Sequence, residues 1–303
     1  MKLAQLFFTS AFIGLSALAF VSAASAEDLV TKTVSLEGVR SIVLEDGFDL
    51  SLTQGDEEYV KITAPRNALA KVDAEVHGDT LHIQRKRGNW SMSIFAFEAN
   101  ARFDVQLKEV RSLELMGSGH ITVGKLAVDD FSIEKMGSGR VEIESLDVDK
   151  FGLEVAGSAD LSIGDLDTDS VDIEIAGSPT IEIGNIVVEG DVAFEVAGSG
   201  HVSLVSLHAQ ELSIEIAGSG TLEIKDAGHV DAQFIEIAGS GDYKAPKLES
   251  ETAEIEVAGS SSIEVFVTKE LNIEAMGSVD VLYHGNPEVE YDVGGHSNIH
   301  QAK

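Results

Sequence analysis

A short motif that ends in glycine and serine recurs through the second two-thirds of this chain. The motif reads Ala-Gly-Ser or Met-Gly-Ser, and its copies stand 18–21 residues apart. Its glycines, called marker glycines below, are Gly117, Gly137, Gly157, Gly177, Gly198, Gly218, Gly239, Gly259 and Gly277, with a degraded tenth copy at Gly295. Self-similarity at a fixed period near twenty residues is typical of a solenoid, in which each repeat forms one turn.

Apolar and polar residues alternate on both sides of each marker glycine. Around Gly177, Ile173 and Ile175 precede the glycine, and Ile181 and Ile183 follow it. Alternation with a period of two predicts short strands that bury one face. A further apolar residue stands nine positions after each of the first five markers and predicts a third side of the turn. The sequence therefore predicts an all-β chain, a parallel β-solenoid with turns of about twenty residues.

A glycine-rich motif of this kind has a second interpretation, namely a loop that binds phosphate. Such a loop occurs once or twice in a domain and opens a helix. No copy in this chain is followed by the apolar period of a helix. We therefore expect each marker glycine to form a corner between strands, because glycine accepts positive φ without a Cβ clash. The serine that follows is suited to bonding backbone groups at that corner.

Residues 1–26 have the pattern of a secretory signal peptide. Lys2 is followed by a long apolar run, and small residues precede a predicted cleavage site after Ala26. A membrane anchor is the alternative, but serine and threonine dilute the run and no stop-transfer charges follow it. The chain has no cysteine, which excludes a disulfide framework. We expect an exported protein in the periplasm, at the cell surface or in the medium, with no transmembrane segment after signal removal.

The charge of the chain restricts its partners. It contains 52 acidic and 21 basic residues, a formal net charge of −31. Nucleic acid is a poor partner, because binding to phosphates needs basic side chains. An anionic membrane surface is disfavoured for the same reason. Solubility explains much of this charge, and we expect a monomer.

The same patterns divide the chain into three segments. These are the signal peptide (residues 1–26), a less periodic β part (27–105) and the regular solenoid turns (106–303). We expect residues 27–105 to cap one open end of the solenoid, as repeat proteins require. The stretch 85–100 combines a basic cluster with Trp90, Phe95 and Phe97. It is either a loop packed over the end of the core or an exposed patch for a partner.

The order of these features resembles a known family. The segment GFDLSLTQGDEEYVKITAPRNALAKVDAEVHGDTLHIQ, followed by LELMGSGHITV and its many copies, resembles the head GIN domain family of putative autotransporter adhesins. The resemblance extends over roughly residues 36–295. It implies a single-stranded right-handed β-helix on an exported, mostly bacterial protein, and it implies no catalytic residues.

A calcium-dependent polysaccharide lyase or hydrolase is the alternative function, because parallel β-helices include such enzymes. Their sites need an acidic cluster for calcium beside an arginine or lysine base on one strand face. Among the scattered basic residues of the repeats, only Arg140 and Lys150 lie near a dense acidic group. The corner serines have no histidine that recurs with them, which argues against nucleophilic catalysis. The sequence therefore favours a non-enzymatic protein with no catalytic or cofactor-binding residues.

An acidic residue stands three positions before every marker glycine. These residues, called the glutamate ladder below, are Glu114, Glu134, Glu154, Glu174, Glu195, Glu215, Glu236, Glu256, Glu274 and Asp292. Each lies between two inward positions and is expected to point outward, so that stacked turns align the carboxylates. The ladder is either a solvated acidic face or a ridge that binds cations or a partner.

Two groups of carboxylates are candidates for weak calcium binding. The first consists of Glu174, Glu195 and Glu215 of the ladder. The second lies on another side of the turn and consists of Asp147, Asp149, Asp167 and Asp169. The segment DLDTDS resembles a calcium loop only loosely, since Ser170 replaces the turn glycine and Ala176 the bidentate glutamate. Any calcium affinity is therefore expected to be low.

The function that the sequence favours is binding. We expect an exported envelope or surface protein, an adhesin in the broad sense, that presents a repetitive acidic face to a glycan or to an envelope or surface protein.

Overall fold

The computed structural model describes residues 28–86 and 101–303. These residues form a nearly all-β molecule with a single short helix among them. In chain order its elements are β1 (Leu29–Ser35), β2 (Ser41–Leu44), β3 (Asp49–Gln54), β4 (Tyr59–Pro65), α1 (Arg66–Leu69), β5 (Val72–His77), β6 (Thr80–Arg85), β7 (Arg102–Leu107), β8 (Ser112–Gly117), β9 (His120–Gly137), β10 (Arg140–Gly157), β11 (Asp160–Gly177), β12 (Thr180–Val188), β13 (Asp191–Gly198), β14 (His201–His208), β15 (Glu211–Gly218), β16 (Thr221–Ile224), β17 (Gly228–Gly239), β18 (Asp242–His284), β19 (Glu288–Gly295) and β20 (Asn298–Gln301).

From β8 onward the chain winds as a parallel β-solenoid. Successive turns pair in register, so that Val141 of β10 lies opposite Ile121 of β9 and Leu161 of β11. Marker glycines pair with marker glycines in the same way. The prediction of an all-β solenoid with turns of about twenty residues is confirmed.

The core is the apolar interior that the stacked turns enclose. In β10 the buried side chains are Val141, Ile143, Leu146, Val148, Phe151, Leu153 and Val155. The alternation of buried and exposed residues breaks at 144–145 and at 149–150, which marks the bends between the three sides of the turn. Each buried aliphatic side chain contributes about 1.5–3 kcal/mol. No turn buries its apolar face alone, so neighbouring turns stabilise one another.

The marker glycines lie at a corner that only glycine fits. Gly177 has φ of +124°, a conformation that other L-residues rarely adopt. A Cβ atom at this position would lie 2.3 Å from the carbonyl oxygen of Gly157, one turn below. The backbone N–H of Ser178 donates to that same carbonyl oxygen over 2.8 Å. The corner is therefore held by the backbone of the serine, and the close stacking leaves no room for a side chain on the glycine.

One polar network lies inside the core, where β17 and β18 meet. The Tyr243 hydroxyl donates to Gln233 Oε1 over 2.7 Å, and Gln233 Nε2 donates to Ser250 Oγ over 2.9 Å. Ser250 Oγ in turn donates to the carbonyl oxygen of Phe266 over 3.1 Å. Burial raises the pKa of the Tyr243 hydroxyl well above its usual value. Because these polar groups have partners, the network avoids the free-energy cost of an unpaired buried group.

The amino-terminal end is capped by antiparallel strands. β4 pairs antiparallel with both β1 and β7, and β5 pairs antiparallel with β6. Below this cap, β2 and β3 pair in parallel with β8 and β9 on one side and with β6 and β7 on the other. The early part of the chain therefore contributes solenoid layers as well as a cap, and these layers do not stack in chain order.

Two segments discussed above fall outside the described residues. The predicted signal peptide, residues 1–26, is one of them, and most of the basic and aromatic stretch 85–100 is the other. Of that stretch, Arg85 is described, and its guanidinium lies 5.9 Å from the centre of the Phe48 ring. No helix within residues 28–86 and 101–303 combines the length and the apolar character needed to cross a bilayer.

Candidate functional site

The glutamate ladder runs along one side of the solenoid, called the ladder face below, which is formed by the strands that lead to the marker glycines. Glu134 pairs with Glu114 on one side and Glu154 on the other. The same pairing continues through Glu256. Near the carboxyl end, Glu274 pairs with Asp292. The carboxylates therefore occupy successive strands at the usual spacing of about 4.8 Å.

Mostly small residues lie between the ladder and the marker corner, and also just after that corner. The position before each marker glycine holds Met116, Met136, Ala156, Ala176, Ala197, Ala217, Ala238, Ala258 and Met276. The position after it holds the exposed serines Ser118, Ser138, Ser158, Ser178, Ser199, Ser219, Ser240, Ser260 and Ser278. In the middle turns, the surface between the carboxylates and the marker corner consequently consists of alanine, glycine and serine and carries no large side chain.

The ladder carries charge without compensation. The ion pairs in the described part of the chain join other acidic residues, and none includes a ladder carboxylate. Like charges directly opposite one another destabilise a sheet. At 4.8 Å in water each neighbouring pair costs about 0.9 kcal/mol before salt screening. The ladder is thus a line of exposed negative charge that opposes the stacking of the turns.

The next side of the solenoid, called the alternating face below, arranges its acidic residues differently. It is formed by the strands that follow the marker glycines. On this face Glu182 lies between Ser162 and Ser203, and Glu223 lies between Ser203 and Lys244. Serine or lysine therefore separates the carboxylates. The same fold avoids like-charge neighbours on one face and accumulates them on the other.

Two shallow depressions interrupt the ladder face. The first has a volume of about 260 Å³ and lies at Gly152, beside Glu134, Glu154 and Glu174. The second has a volume of about 240 Å³ and lies at Phe234. Both are open to solvent and lined by ladder carboxylates. A further open depression, of about 350 Å³, lies on the alternating face.

A comparison with protein families identifies the chain. A family model described as "Putative auto-transporter adhesin, head GIN domain" matches residues 39–204 and again residues 168–287. The chain belongs to the head GIN domain family. A comparison with curated proteins finds no match to it.

The solved structures that are similar to this chain include three from Parabacteroides species. A putative lipid binding protein from Parabacteroides distasonis has 24% identity and a TM-score of 0.47, with 91% of this chain and 97% of that chain covered. A putative adhesin from the same organism has 19% identity and a TM-score of 0.48, with coverage of 91% and 98%. A putative adhesin from Parabacteroides merdae has 15% identity and a TM-score of 0.45, with coverage of 91% and 96%.

The calcium candidates of this head GIN domain protein occupy two separate sides. Glu174, Glu195 and Glu215 are consecutive members of the ladder. On the third side of the turn, Asp147 pairs with Asp167, and Asp149 and Asp169 follow two residues later. Across residues 28–86 and 101–303, no three histidine, aspartate or glutamate side chains are grouped as a metal site would require. Calcium binding therefore stays a prediction.

The two basic residues considered for a lyase lie on different sides of the head GIN domain. Arg140 lies on the alternating face, where its guanidinium contacts Glu142 Oε1 over 3.8 Å and Asp160 Oδ2 over 3.5 Å. Lys150 pairs with Asp130 and Ser170 at the end of the third side. The structure does not bring Arg140 and Lys150 together, and Arg140 is already paired with carboxylates.

Two residues of this head GIN domain protein have roles that the sequence reasoning missed. Lys135 occupies an inward position and is only 1% exposed, although it is charged at neutral pH in water. Phe234 points outward on the ladder face and is 38% exposed. Each differs in type from the residues at the equivalent position of the other turns. This difference is visible in the sequence when the repeats are aligned with one another.

Proposed function

We propose that this chain is an exported, non-enzymatic binding protein of the cell envelope or surface, and that it contacts its partner through the ladder face. The partner is a glycan or an envelope protein, and the binding is adhesion in the broad sense. The family and the relatives named as adhesins support this class of function.

The contrast between the two acidic faces carries the proposal. On the alternating face, serine and lysine separate Glu182 and Glu223 from other carboxylates. Stacking of the turns therefore does not require acidic residues in consecutive positions. On the ladder face they are consecutive, which opposes stacking at about 0.9 kcal/mol per pair in water. A partner that binds the carboxylates would offset this cost. Its binding would explain why the acidic residues are consecutive although the fold does not require them to be.

The shape of the ladder face supports contact with an extended partner. On the side toward the marker corner, alanine, glycine and serine flank the ladder from Ala156 to Ala258, so on that side no large side chain stands between the carboxylates and an approaching surface. Carboxylates accept hydrogen bonds from hydroxyl groups and attract cations, and both kinds of group occur on glycans and proteins. The net charge of −31 disfavours nucleic acid as the partner.

Binding to native envelope fractions tests the proposal. The mature chain, without residues 1–26, is compared with a ladder variant, Glu195→Gln with Glu215→Gln. The matched control is Glu182→Gln with Glu223→Gln, which removes the same charge from the alternating face. We expect the ladder variant to lose at least five-fold in binding and the control to lose less than two-fold. Equal loss in both variants, or none in the ladder variant, would contradict a role for the ladder.

The lyase or hydrolase alternative is tested separately. A lyase releases unsaturated products that absorb ultraviolet light when it is incubated with acidic polysaccharides. Arg140, the base that such a reaction would need, is already ion-paired with Glu142 and Asp160. We expect no turnover by the wild-type chain. Turnover that disappears in Arg140→Ala would overturn the non-enzymatic proposal.

A further inference from the structure

One aromatic side chain lies exposed among the carboxylates of the ladder face. Phe234 is 38% exposed and lines the depression of about 240 Å³ described above. Within its own column it lies between Ser213 and Glu254. The neighbouring column holds Glu215, Glu236 and Glu256 of the ladder.

Phe234 differs in type from the residues at the equivalent position of the other turns. The equivalent positions of the other turns hold Ser112, Ser132, Gly152, Asp172, Ala193, Ser213, Glu254, Asn272 and Glu290. These residues are small or polar, as suits an outward position on a strand. Phe234 faces away from the core, so its ring adds nothing to the packing of the interior. An aromatic side chain in a depression that polar groups also line is a common feature of a binding site.

The charge around the ring selects a cation. Four carboxylates line the depression together with Phe234, and no lysine, arginine or histidine lines it. The face of an aromatic ring attracts ammonium groups, by about 0.5–1 kcal/mol at exposed sites. Carboxylates add charge-assisted hydrogen bonds to the same groups. The depression therefore suits an ammonium group carried on an apolar frame, and it repels sulfated or uronic acid polymers.

The spacing of the ladder distinguishes between polymers that carry such groups. Neighbouring carboxylates follow the strand spacing of about 4.8 Å. A linear chain of equatorially linked pyranose rings advances by close to one strand spacing per ring, and successive rings are turned over, so the amino groups on one edge of the chain recur at every second ring. An extended peptide presents side chains on the same face about 6.6–6.8 Å apart, which does not follow the ladder. Amino groups two rings apart can therefore meet carboxylates two strands apart, whereas consecutive lysines of a strand fall out of register with the ladder.

We propose that the ladder face at Phe234 binds a linear polysaccharide that contains amino sugars with free amino groups. The C–H face of one sugar ring packs on Phe234, and the ammonium groups of the rings before and after it lie over Glu215 and Glu256. This inference rests on the proposed function of the ladder face and names the class of ligand.

Binding of short oligosaccharides tests the inference. The probes are a glucosamine oligomer, its fully N-acetylated counterpart of equal length, and an oligolysine of equal charge. We expect the wild-type chain to bind the glucosamine oligomer at least ten-fold more tightly than the acetylated one, and more tightly than oligolysine. Phe234→Ser, which introduces the residue of the preceding turn, is expected to weaken binding of the glucosamine oligomer at least five-fold.

Matched variants separate the ring from general effects. Val187→Ser removes an exposed apolar side chain from the third side of the turn and is expected to leave binding unchanged. Glu215→Gln with Glu236→Gln is expected to weaken binding, and Glu182→Gln with Glu223→Gln is not. Thermal unfolding of each variant checks that the fold persists, since all these side chains point outward.

Three outcomes would overturn the inference. Equal affinity for the acetylated oligomer would exclude the ammonium group as the recognised feature. Wild-type affinity in Phe234→Ser would exclude the ring. Tighter binding of oligolysine would assign the site to a basic polypeptide. If envelope binding depends on the ladder but the glucosamine oligomer does not bind, the proposed function stands and this inference fails.

Discussion

At the scale of single residues, Lys135 departs most from its surroundings. Its position in the repeat is occupied by Leu115, Val155 and Ile175 in neighbouring turns, all buried. Its ammonium donates to the carbonyl oxygens of Gly117 over 2.7 Å and Met136 over 3.1 Å. In later turns the carbonyl of the marker glycine accepts from the N–H of the corner serine. At Gly117, the lysine supplies this hydrogen bond from inside the core.

Burial lowers the pKa of the Lys135 ammonium, and this predicts how Lys135→Met behaves. Methionine has a similar length and carries no charge, so the variant avoids the desolvation of an ion. We expect the variant to be more stable at neutral pH by about 1 kcal/mol, because the cost of desolvating the ion exceeds the loss of its hydrogen bonds to Gly117 and Met136. For a chain of this size, this raises the midpoint of thermal unfolding, Tm, by about 2–4 °C.

The pH dependence of that difference provides the check. Above the lowered pKa, the folded state of the wild type binds fewer protons at Lys135 than the unfolded state, whose pKa is near the ordinary 10.5. Wild-type stability at this site therefore rises with pH up to that value. We expect the Tm advantage of Lys135→Met to shrink between neutral pH and about pH 10. An advantage that stays constant with pH would contradict the lowered pKa.

Lys135 and Phe234 are visible in the sequence as exceptions, but their contacts are not. The columns of the repeat show that Lys135 is polar where its equivalents are apolar. They do not show that the ammonium bonds to Gly117, because that contact depends on the shape of the corner. Phe234 is equally visible as an exception in its column. Its neighbours in space are the carboxylates two residues away on adjacent turns, and only the stacking register makes them neighbours.

At the scale of the structural element, the glycine corner gives the sharpest test of the solenoid. Gly177→Ala would force a side chain into a φ of +124°, with a Cβ 2.3 Å from a carbonyl oxygen. The backbone conformation alone costs roughly 1–2 kcal/mol, and relief of the overlap adds to this. We expect Tm to fall by more than about 4 °C. Thermal unfolding followed by circular dichroism measures it.

Gly152→Ala is the matched control for this prediction. Gly152 lies on the ladder face, where an added Cβ would meet Ser132 Cβ at 3.8 Å, an ordinary contact. Replacement of glycine by alanine at a compatible position stabilises a protein by about 0.4–1 kcal/mol. We expect the Tm of Gly152→Ala to equal or exceed that of the wild type. Similar Tm values for the two variants would contradict the proposed constraint at the marker corner.

The repeat itself was predictable, because each turn uses local alternation and a glycine at a fixed interval. The layer formed by β2 and β3 was not. Ile42, Leu44, Leu50 and Leu52 have the spacing of a regular turn, but the marker motif is absent, and Asp46 adopts the positive φ there. β2 pairs with β6 and β8, which are distant in the chain and out of chain order. No local pattern encodes such pairing.

At the scale of the whole molecule, the negative charge is concentrated in the solenoid. Residues 112–303 hold 37 acidic and 9 basic residues, a net charge of −28, whereas residues 1–111 hold 15 and 12, a net charge of −3. The sequence therefore places most of the formal charge on the regular turns. It did not identify a ligand, since the ligand depends on which exposed side chains share a surface.

Salt is expected to stabilise the molecule through the ladder. Glu195→Gln with Glu215→Gln removes three neighbouring like-charge pairs, because Glu174 and Glu236 flank the substituted residues. At roughly 0.9 kcal/mol per pair in water, the variant gains up to about 2.7 kcal/mol at low ionic strength. Screening reduces the gain, since the Debye length falls to about 3 Å at 1 M salt. We expect the variant to melt several degrees above the wild type at low salt and close to it at high salt.

The alternating face supplies the control, because Glu182 and Glu223 have serine or lysine as neighbours. Gln at both positions removes the same net charge and no neighbouring like-charge pair, and it also removes the attraction between Glu223 and Lys244, so its Tm should not exceed that of the wild type at any salt concentration. Equal shifts in both double variants would mean that net charge, and not the ladder, opposes folding. Calcium is compared with magnesium at matched ionic strength. If calcium raises Tm more than magnesium does, and the difference disappears in the ladder variant, calcium binds the ladder specifically. Screening alone would raise Tm equally with both ions, because it depends on ionic strength.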